Sequence, residues 1–382
     1  MTTDVAFLFL GETLLIPHLF PVLEAMAATA TGPATGPGPG LRPGLRIDAW
    51  VATSMHEGLI RGWLGEATPV RIRRAPGFRD LGAWEAGRNP PLPAKLPLLA
   101  RLAPRLLRTR VVVTAEQTSL WIPAMSPTRA RFVNILHGAG SMMNRDDRRR
   151  RAAVLTIVAA ERERQALAAH GVDPGSVAVT GYIKAGFRQR SHAALAFAQD
   201  RPVVLYAPHW QRHRSSWWDW GEAAIRRLLA MDRYNLVFAP HQRLVEKAPE
   251  VRDFAATLSG RGDVHVDLDS FAMVDGSYTA AADLYLGDTS SQVVEFLMRP
   301  RPCVFLDPRG VAWAGDPSYD MWAAGEVVTD LDRMPAAIDG AQARHPAFLA
   351  AQRAFATDSL GETGGAAPHR AAAAILDVLA GG

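Results

Sequence analysis

The stretch Ala281–Asp307, AADLYLGDTSSQVVEFLMRPRPCVFLD, leaves this chain little choice of local fold. Leu284, Tyr285 and Leu286 form an apolar run short enough for a buried strand. Gly287-Asp288-Thr289-Ser290-Ser291 follows as a tight turn, and Gln292–Met298 reads as a helix with Val293, Val294, Phe296 and Leu297 on its apolar face. Pro300 and Pro302 end that helix, and Cys303–Leu306 reads as the next strand. Strand, helix and strand in so few residues make a βαβ unit, whose two strands run parallel. The turn sets hydroxyls and unpaired backbone N–H groups at a helix start, which favours a phosphate group. Plain helix capping by Ser and Asp explains the same residues, and both readings stand.

The same alternation runs along the whole chain. Strands are expected at Val5–Leu10, Ile47–Thr53, Val111–Thr114, Phe132–Leu136, Leu155–Val158 and Val177–Thr180. Helices are expected at Ile16–Ala28, Lys95–Leu107 and Ala159–His170. Pro97 suits the first turn of the Lys95–Leu107 helix, whereas Pro104 should kink or end it. The Gly- and Pro-rich stretch 31–44 is expected to be a loop. The pattern restarts at Val203–Ala207, with further strands at Leu236–Ala239, Val264–Val266 and Val327–Thr329, and helices at Glu222–Met231, Glu250–Leu258 and Ala366–Leu379. Alternation of this kind predicts an α/β chain with parallel sheets covered by helices. Its 382 residues suit two Rossmann-like domains. These are residues 1–184, a linker over 185–200, and residues 201–382, with the final helix able to pack back on the first domain. Ligands in such a pair lie at the carboxyl ends of the strands, in a central crevice that the two sheets face.

Composition narrows the function classes. With 48% hydrophobic and 21% charged residues, the chain can bury a large core. A net charge of +4 and a pI of about 9.5, carried mostly by Arg, suit an anionic ligand or an anionic membrane face. Nucleic acid is not expected as a partner. The single cysteine, Cys303, excludes a disulfide framework and a multi-cysteine zinc site, and in a core strand it reads as a small buried hydrophobe. There is no H-E-x-x-H pattern either, so no metal site is expected. No apolar run approaches the ~20 residues of a membrane-spanning helix. Val5–Leu10, with no preceding Lys or Arg, reads as a first strand rather than a signal peptide. A cytoplasmic location is the expectation. The basic, Leu-rich Lys95–Leu107 segment, with Arg101, Arg105 and then Arg108, suits either a membrane-surface contact or a sheet-covering helix with arginines in water. Arg148–Arg151 reads as a solvated helix start.

The informative residues are those just after strands. His137-Gly138-Ala139-Gly140 follows Phe132–Leu136. An imidazole there can act as general base for an attacking hydroxyl, or it can be a turn histidine satisfied by backbone. Thr180-Gly181-Tyr182-Ile183-Lys184 places a glycine turn after a strand, with Lys184 either on phosphate or in solvent. Pro208-His209-Trp210-Gln211-Arg212 follows Val203–Ala207, where His209 can donate to phosphate and Arg212 can clamp it bidentately. Trp217, Trp218 and Trp220 nearby read as a base-stacking or a packing cluster. Pro240-His241-Gln242-Arg243 follows Leu236–Ala239. In the opening segment Asp288 can orient His241 or an incoming alcohol, and Thr289, Ser290 and Ser291 offer hydroxyls to phosphate. Glu295, one turn on, either takes ribose hydroxyls or stabilises the helix start by its charge.

In chain order HGAG, TGYIK, APHW, PHQR and DTSS resemble the HGT, T-G-Y/N-P-R/K, A-P-T-W-R, H-P and D-[YT]-S-S segments of the CDP-glycerol glycerophosphotransferases, the teichoic-acid and capsule enzymes. The chain departs from them at Ala139, Ile183 and His209, and in placing Pro240 ahead of His241. The resemblance implies a GT-B-like fold and transfer of a glycerophosphate or similar polyol-phosphate unit. The donor would be CDP-activated and the acceptor a hydroxyl on a glycan or lipid carrier. His137 would deprotonate the acceptor, whose oxygen would attack the β-phosphorus. His241, with His209, Arg212, Arg243, Ser290 and Ser291, would hold the pyrophosphate as CMP leaves. No cofactor is required, Mg²⁺ is compatible, and peripheral contact with the inner face of the cell membrane would fit. A nucleotide-sugar glycosyltransferase, or an enzyme like the UDP-N-acetylglucosamine 2-epimerases, is the alternative on the same fold, although the S-G-G-x-x-E turn of the epimerases is lacking. A non-catalytic nucleotide-binding protein is the third reading.

Overall fold

Two parallel β-sheets organise the chain, one in each of two units. The computed structural model describes residues 3–31, 44–65, 68–86, 88–138, 148–187 and 195–381. The first unit takes Met1–Ala139, Asn144–Phe187 and Leu360–Gly382, and the second is chiefly Arg188–Ser359.

The first unit holds β1 (Val5–Phe9), β2 (Ile47–Thr53), β3 (Val70–Arg79), β4 (Val111–Thr114), β5 (Arg131–Ile135), β6 (Leu155–Val158) and β7 (Val177–Val179). They pair in the order β3-β2-β1-β4-β5-β6-β7, all parallel, with Val5 opposite both Ile47 and Val111. β1, β2 and β4 are buried throughout, as strands covered on both faces must be, which is why they read as unbroken apolar runs. β3 gives no such signal. It is an edge strand whose Arg71 and Arg73 both reach the buried carboxylate of Asp48 on β2, at 2.8 and 3.3 Å. The helix Ser54–Leu64, started by Thr53 as N-cap, connects β2 to β3 and was likewise silent in the sequence. Lys95–Leu106 is a helix that continues through Pro104. The proline falls in the last turn, and Leu107 still donates to Ala103 O, so neither the expected kink nor an early end is needed. Its leucines Leu98, Leu99, Leu102 and Leu106 are buried and its arginines lie outside.

The helix Ile16–Thr31 packs on β1 and on the last helix, Ala367–Ala380. By length and composition Thr13–Ala30 passes as a membrane span, contrary to the expectation from run lengths, but 78% of it is buried in the unit, as in a core helix. Ile183–Phe187 also belongs to this unit, with Phe187 fully buried against Phe20 and Trp63. Of the expected loop 31–44, residues 32–43 lie outside the described residues.

The second unit repeats the scheme with β8 (Val203–Tyr206), β9 (Asn235–Phe238), β10 (Val264–Val266), β11 (Leu284–Gly287), β12 (Cys303–Leu306) and β13 (Glu326–Val328). Their order is β10-β9-β8-β11-β12-β13, again all parallel. Trp217 is buried and stacks on Phe238 at 5.4 Å, so the tryptophan cluster packs the core rather than waiting for a base. Cys303 is buried, and burial pushes its thiol well above the ordinary range. The helices Met334–Arg344 and Leu349–Leu360 complete the chain before it returns to the first unit.

Candidate functional site

Both sheets have a point where the strand order reverses, between β1 and β4 and between β8 and β11. Open parallel sheets leave a crevice beyond the carboxyl ends of the strands at such a point, because the flanking loops diverge to opposite faces.

In the second unit His209 follows β8, His241 follows β9 and Asp288 follows β11. His241 is the N-cap of the helix Gln242–Lys247, and its Nδ1 accepts the Arg243 backbone N–H at 3.1 Å. His209 Nδ1 accepts the Gln211 N–H at 3.2 Å. A ring nitrogen that accepts from an amide bears no proton, so each neutral imidazole carries its hydrogen on Nε2. Burial holds both neutral. It takes His209 down to about 2, and the neighbouring His241, Arg214, His213 and Arg243 further disfavour a positive charge on the ring. It takes His241 down to about 3, with Arg243 adding to the effect. The rings stand 5.9 Å apart and present two N–H donors without a net charge. Trp210 lies beside them, its ring 5.7 Å from His209 and 6.3 Å from His241. Over that ring sit Arg243 at 5.0 Å and Lys247 at 4.1 Å. Two neutral donors with two cations alongside make an environment for phosphate oxygens.

Asp288 ties down the loop that follows β8. Its carboxylate accepts from the His209 N–H at 3.0 Å, the Ser216 N–H at 2.7 Å and the Ser216 hydroxyl at 3.0 Å. Those oxygens hold the loop 208–216 and with it the backbone of His209. Burial raises its pKa to about 7, against the pull of the Ser216 and His209 hydrogen bonds and Arg214. Ser290 is the N-cap of the short helix Ser291–Phe296 and accepts from Gln292 N at 3.2 Å. Thr289 is fully buried, and its hydroxyl has no hydrogen-bond partner among the described residues. Ser291 is half-buried and Glu295 buried. Arg212 stands exposed over Trp218 at 5.9 Å. The buried arginine of this loop is Arg214, which donates to Ser318 O at 2.8 Å. Sequence reading passed over Arg214 and Lys247. Alternation alone does not tell which of Arg212 and Arg214 turns inward.

In the first unit His137 follows β5, and its Nδ1 lies 3.1 Å from Ala115 O. A carbonyl only accepts, so Nδ1 carries the proton and Nε2 the lone pair, the opposite tautomer to His209 and His241. His18 lies 6.1 Å from the His137 ring and is buried. Its pKa is lowered by burial first, then by Lys184 and His137. Lys184 is buried rather than solvated. At the reversal point itself Lys95 Nζ bridges Leu10 O at 2.8 Å and Glu116 Oε2 at 2.5 Å. Gly11 abuts this pair, where a Cβ would fall 1.6 Å from Glu116 Oε1. His18, Lys95 and Glu116 were missed because they come from separate segments and follow no local spacing. Gly138 and Gly181 adopt φ of +73° and +89°, and at Gly181 a Cβ would also meet Glu362 O at 2.5 Å. Gly140 lies outside the described residues. Arg150, expected in solvent, is buried, while Arg149 lies over Trp121 at 5.5 Å. Among the described residues no group of three or more His, Cys, Asp or Glu is placed to hold a metal ion.

Comparison with solved structures places this architecture among the GT-B folds. The wall teichoic acid polymerase TagF superposes with a TM-score of 0.65 at 13% identity, over 99% of this chain and 90% of that one. A putative UDP-N-acetylglucosamine 2-epimerase from Listeria monocytogenes gives 0.62 at 14% identity, over 98% and 96%. The S. aureus MnaA–UDP structure gives 0.61 at 13% identity, over 97% and 95%. No sequence-family profile matches the chain, and no curated protein sequence does. Two parallel sheets in the GT-B fold, shared with TagF and with the epimerases, are thus the class to which the chain is assigned.

Proposed function

We propose that this protein is a transferase that moves a glycerophosphate or similar polyol-phosphate unit from a CDP-activated donor to an acceptor hydroxyl. The observation that carries the reading is the opposed tautomers of the histidines. His137 has its lone pair on Nε2, as a general base needs, while His209 and His241 have their hydrogens on Nε2, as phosphate ligands need. In the reaction the His137 Nε2 takes the acceptor proton, the acceptor oxygen forms a bond to the β-phosphorus, and the bond to the CMP oxygen breaks. His209 and His241, flanked by Arg243 and Lys247, donate to oxygens on which negative charge builds. Ser290 and Ser291 add hydroxyl contacts. A TagF structure soaked with CDPG, at a TM-score of 0.65 and 13% identity, supports a nucleotide-activated donor. No metal is needed by these roles, because the histidines and cations supply the donors.

A second reading is favoured by the nearly equal likeness to the epimerases, 0.62 against 0.65. It would make the protein act on a UDP-sugar at carbon. Nucleotide selectivity separates the two. A ligand at 100 times its Kd stabilises the folded state by ~2.7 kcal/mol, which a melting or denaturant experiment resolves. Stabilisation by CDP above UDP, GDP and ADP is the expected result, and selectivity for UDP moves the assignment to the second reading.

A further inference from the structure

A pocket of about 230 Å³ opens at the amino ends of β4 and β5, the opposite end of that sheet from Glu116 and His137. Two Arg-x-Arg segments line it, Arg108-Thr109-Arg110 entering β4 and Arg129-Ala130-Arg131 entering β5. The segments are side by side, since Arg131 N donates to Arg110 O at 2.9 Å and Val111 is in register with Arg131. The inner pair is anchored. Arg110 donates to Leu379 O at 2.9 Å, and Arg131 donates to Val378 O at 2.5 Å and Gly381 O at 2.6 Å. Those carbonyls end the helix Ala367–Ala380, and the guanidiniums cap them. The outer pair has no such task. Arg108 and Arg129 are exposed and form no ion pair among the described residues. Among the described residues no carboxylate lines the pocket; Asp4 lies 3.9 Å from Arg110 and is shared with Arg46.

Four like charges gathered round one cavity repel one another unless an anion joins them. Guanidinium groups suit phosphate because their N–H forks meet two oxygens at once. We propose that this pocket binds a polyvalent phosphate anion, one bearing two adjacent phosphate groups, with Arg108 and Arg129 as the gripping pair and Arg110 and Arg131 as the fixed floor. The site belongs to the first unit alone and is independent of the transfer reaction proposed above.

Inorganic pyrophosphate is the probe, titrated calorimetrically into the full chain. The histidine site is expected to bind it too, so the assay begins from a variant that lacks it. Binding should persist in His209→Ala/His241→Ala. Added to that histidine variant, Arg108→Ala/Arg129→Ala should weaken binding by about tenfold or more for each arginine removed, as charge-assisted hydrogen bonds are lost. Neither arginine has an ion-pair partner among the described residues, so adding the arginine substitutions should leave the melting temperature unchanged, which excludes misfolding as the cause. Vesicles carrying a diphosphate headgroup distinguish the source: sedimentation that the same variant abolishes places the anion on a membrane, and pyrophosphate binding without sedimentation makes it a soluble ligand. Pyrophosphate binding absent from the histidine variant, or unchanged when the arginine substitutions are added to it, overturns the proposal.

Discussion

Replacing His241 by Asn should change the pH dependence of stability by a calculable amount. Asn is a good N-cap, so its side-chain oxygen can accept the Arg243 N–H that Nδ1 accepts now, and the helix Gln242–Lys247 keeps its start. What disappears is a titrating group. In the unfolded chain the imidazole has a pKa of ~6.5. In the folded chain burial holds it at about 3. The folded state therefore refuses a proton that the unfolded state takes up. The stability associated with His241 is complete above pH ~6.5 and is lost as the pH falls toward the folded value, at ~1.4 kcal/mol per pH unit. Between pH 6.5 and 5 that amounts to ~2 kcal/mol. His209 acts in the same direction. Asp288 acts in the other, because its pKa is raised to about 7, so the folded state holds the proton more tightly and gains on acidification. Wild-type behaviour is thus a partial cancellation, and only a difference isolates one group. Denaturant unfolding of wild type and His241→Asn at several pH values gives that difference. The wild type should lose ~2 kcal/mol relative to the variant between pH 6.5 and 5. A difference that stays flat over this range would refute the buried, neutral imidazole.

Other substitutions test the remaining parts. His137→Ala should lower the transfer rate by ~10²–10⁴-fold with thermal stability nearly unchanged, as read by product release and melting. Trp210→Ala removes the ring that gathers Arg243 and Lys247, and calorimetry should show CDP binding weakened by ~1–2 kcal/mol. Asp288→Ala leaves the His209 and Ser216 donors unmet in a buried place, so urea unfolding should show a loss of ~3 kcal/mol or more.

Much of the fold was legible because its strands are buried on both faces. Ile47–Thr53, Val111–Thr114, Leu155–Val158 and Cys303–Leu306 appear where their apolar runs stand in the sequence. β3 was not legible, since an edge strand that pairs Arg71 and Arg73 with a carboxylate on its neighbour looks like a charged loop. The site was partly legible. Residues at strand ends could be named, and His209 and His241 do come together, 5.9 Å apart. Their tautomers could not be read, because those depend on amides two residues on. Nor could the commitment of Asp288 to Ser216, a hydrogen bond across 72 residues. Lys95 can bridge Leu10 and Glu116 because β1 and β4, which those two residues follow, are neighbours in the sheet. Pairings of that kind lie in topology, and a local pattern carries no trace of them.

The central claim is attack on phosphorus, and release of CMP tests it most directly. The full chain would be incubated with CDP-glycerol and a glycerol-terminated acceptor, and free CMP measured beside a parallel incubation with UDP-N-acetylglucosamine. The account predicts acceptor-dependent CMP release that His137→Ala abolishes, with the UDP-sugar left unchanged. Conversion or cleavage of the UDP-sugar, with no CMP from CDP-glycerol, would contradict it.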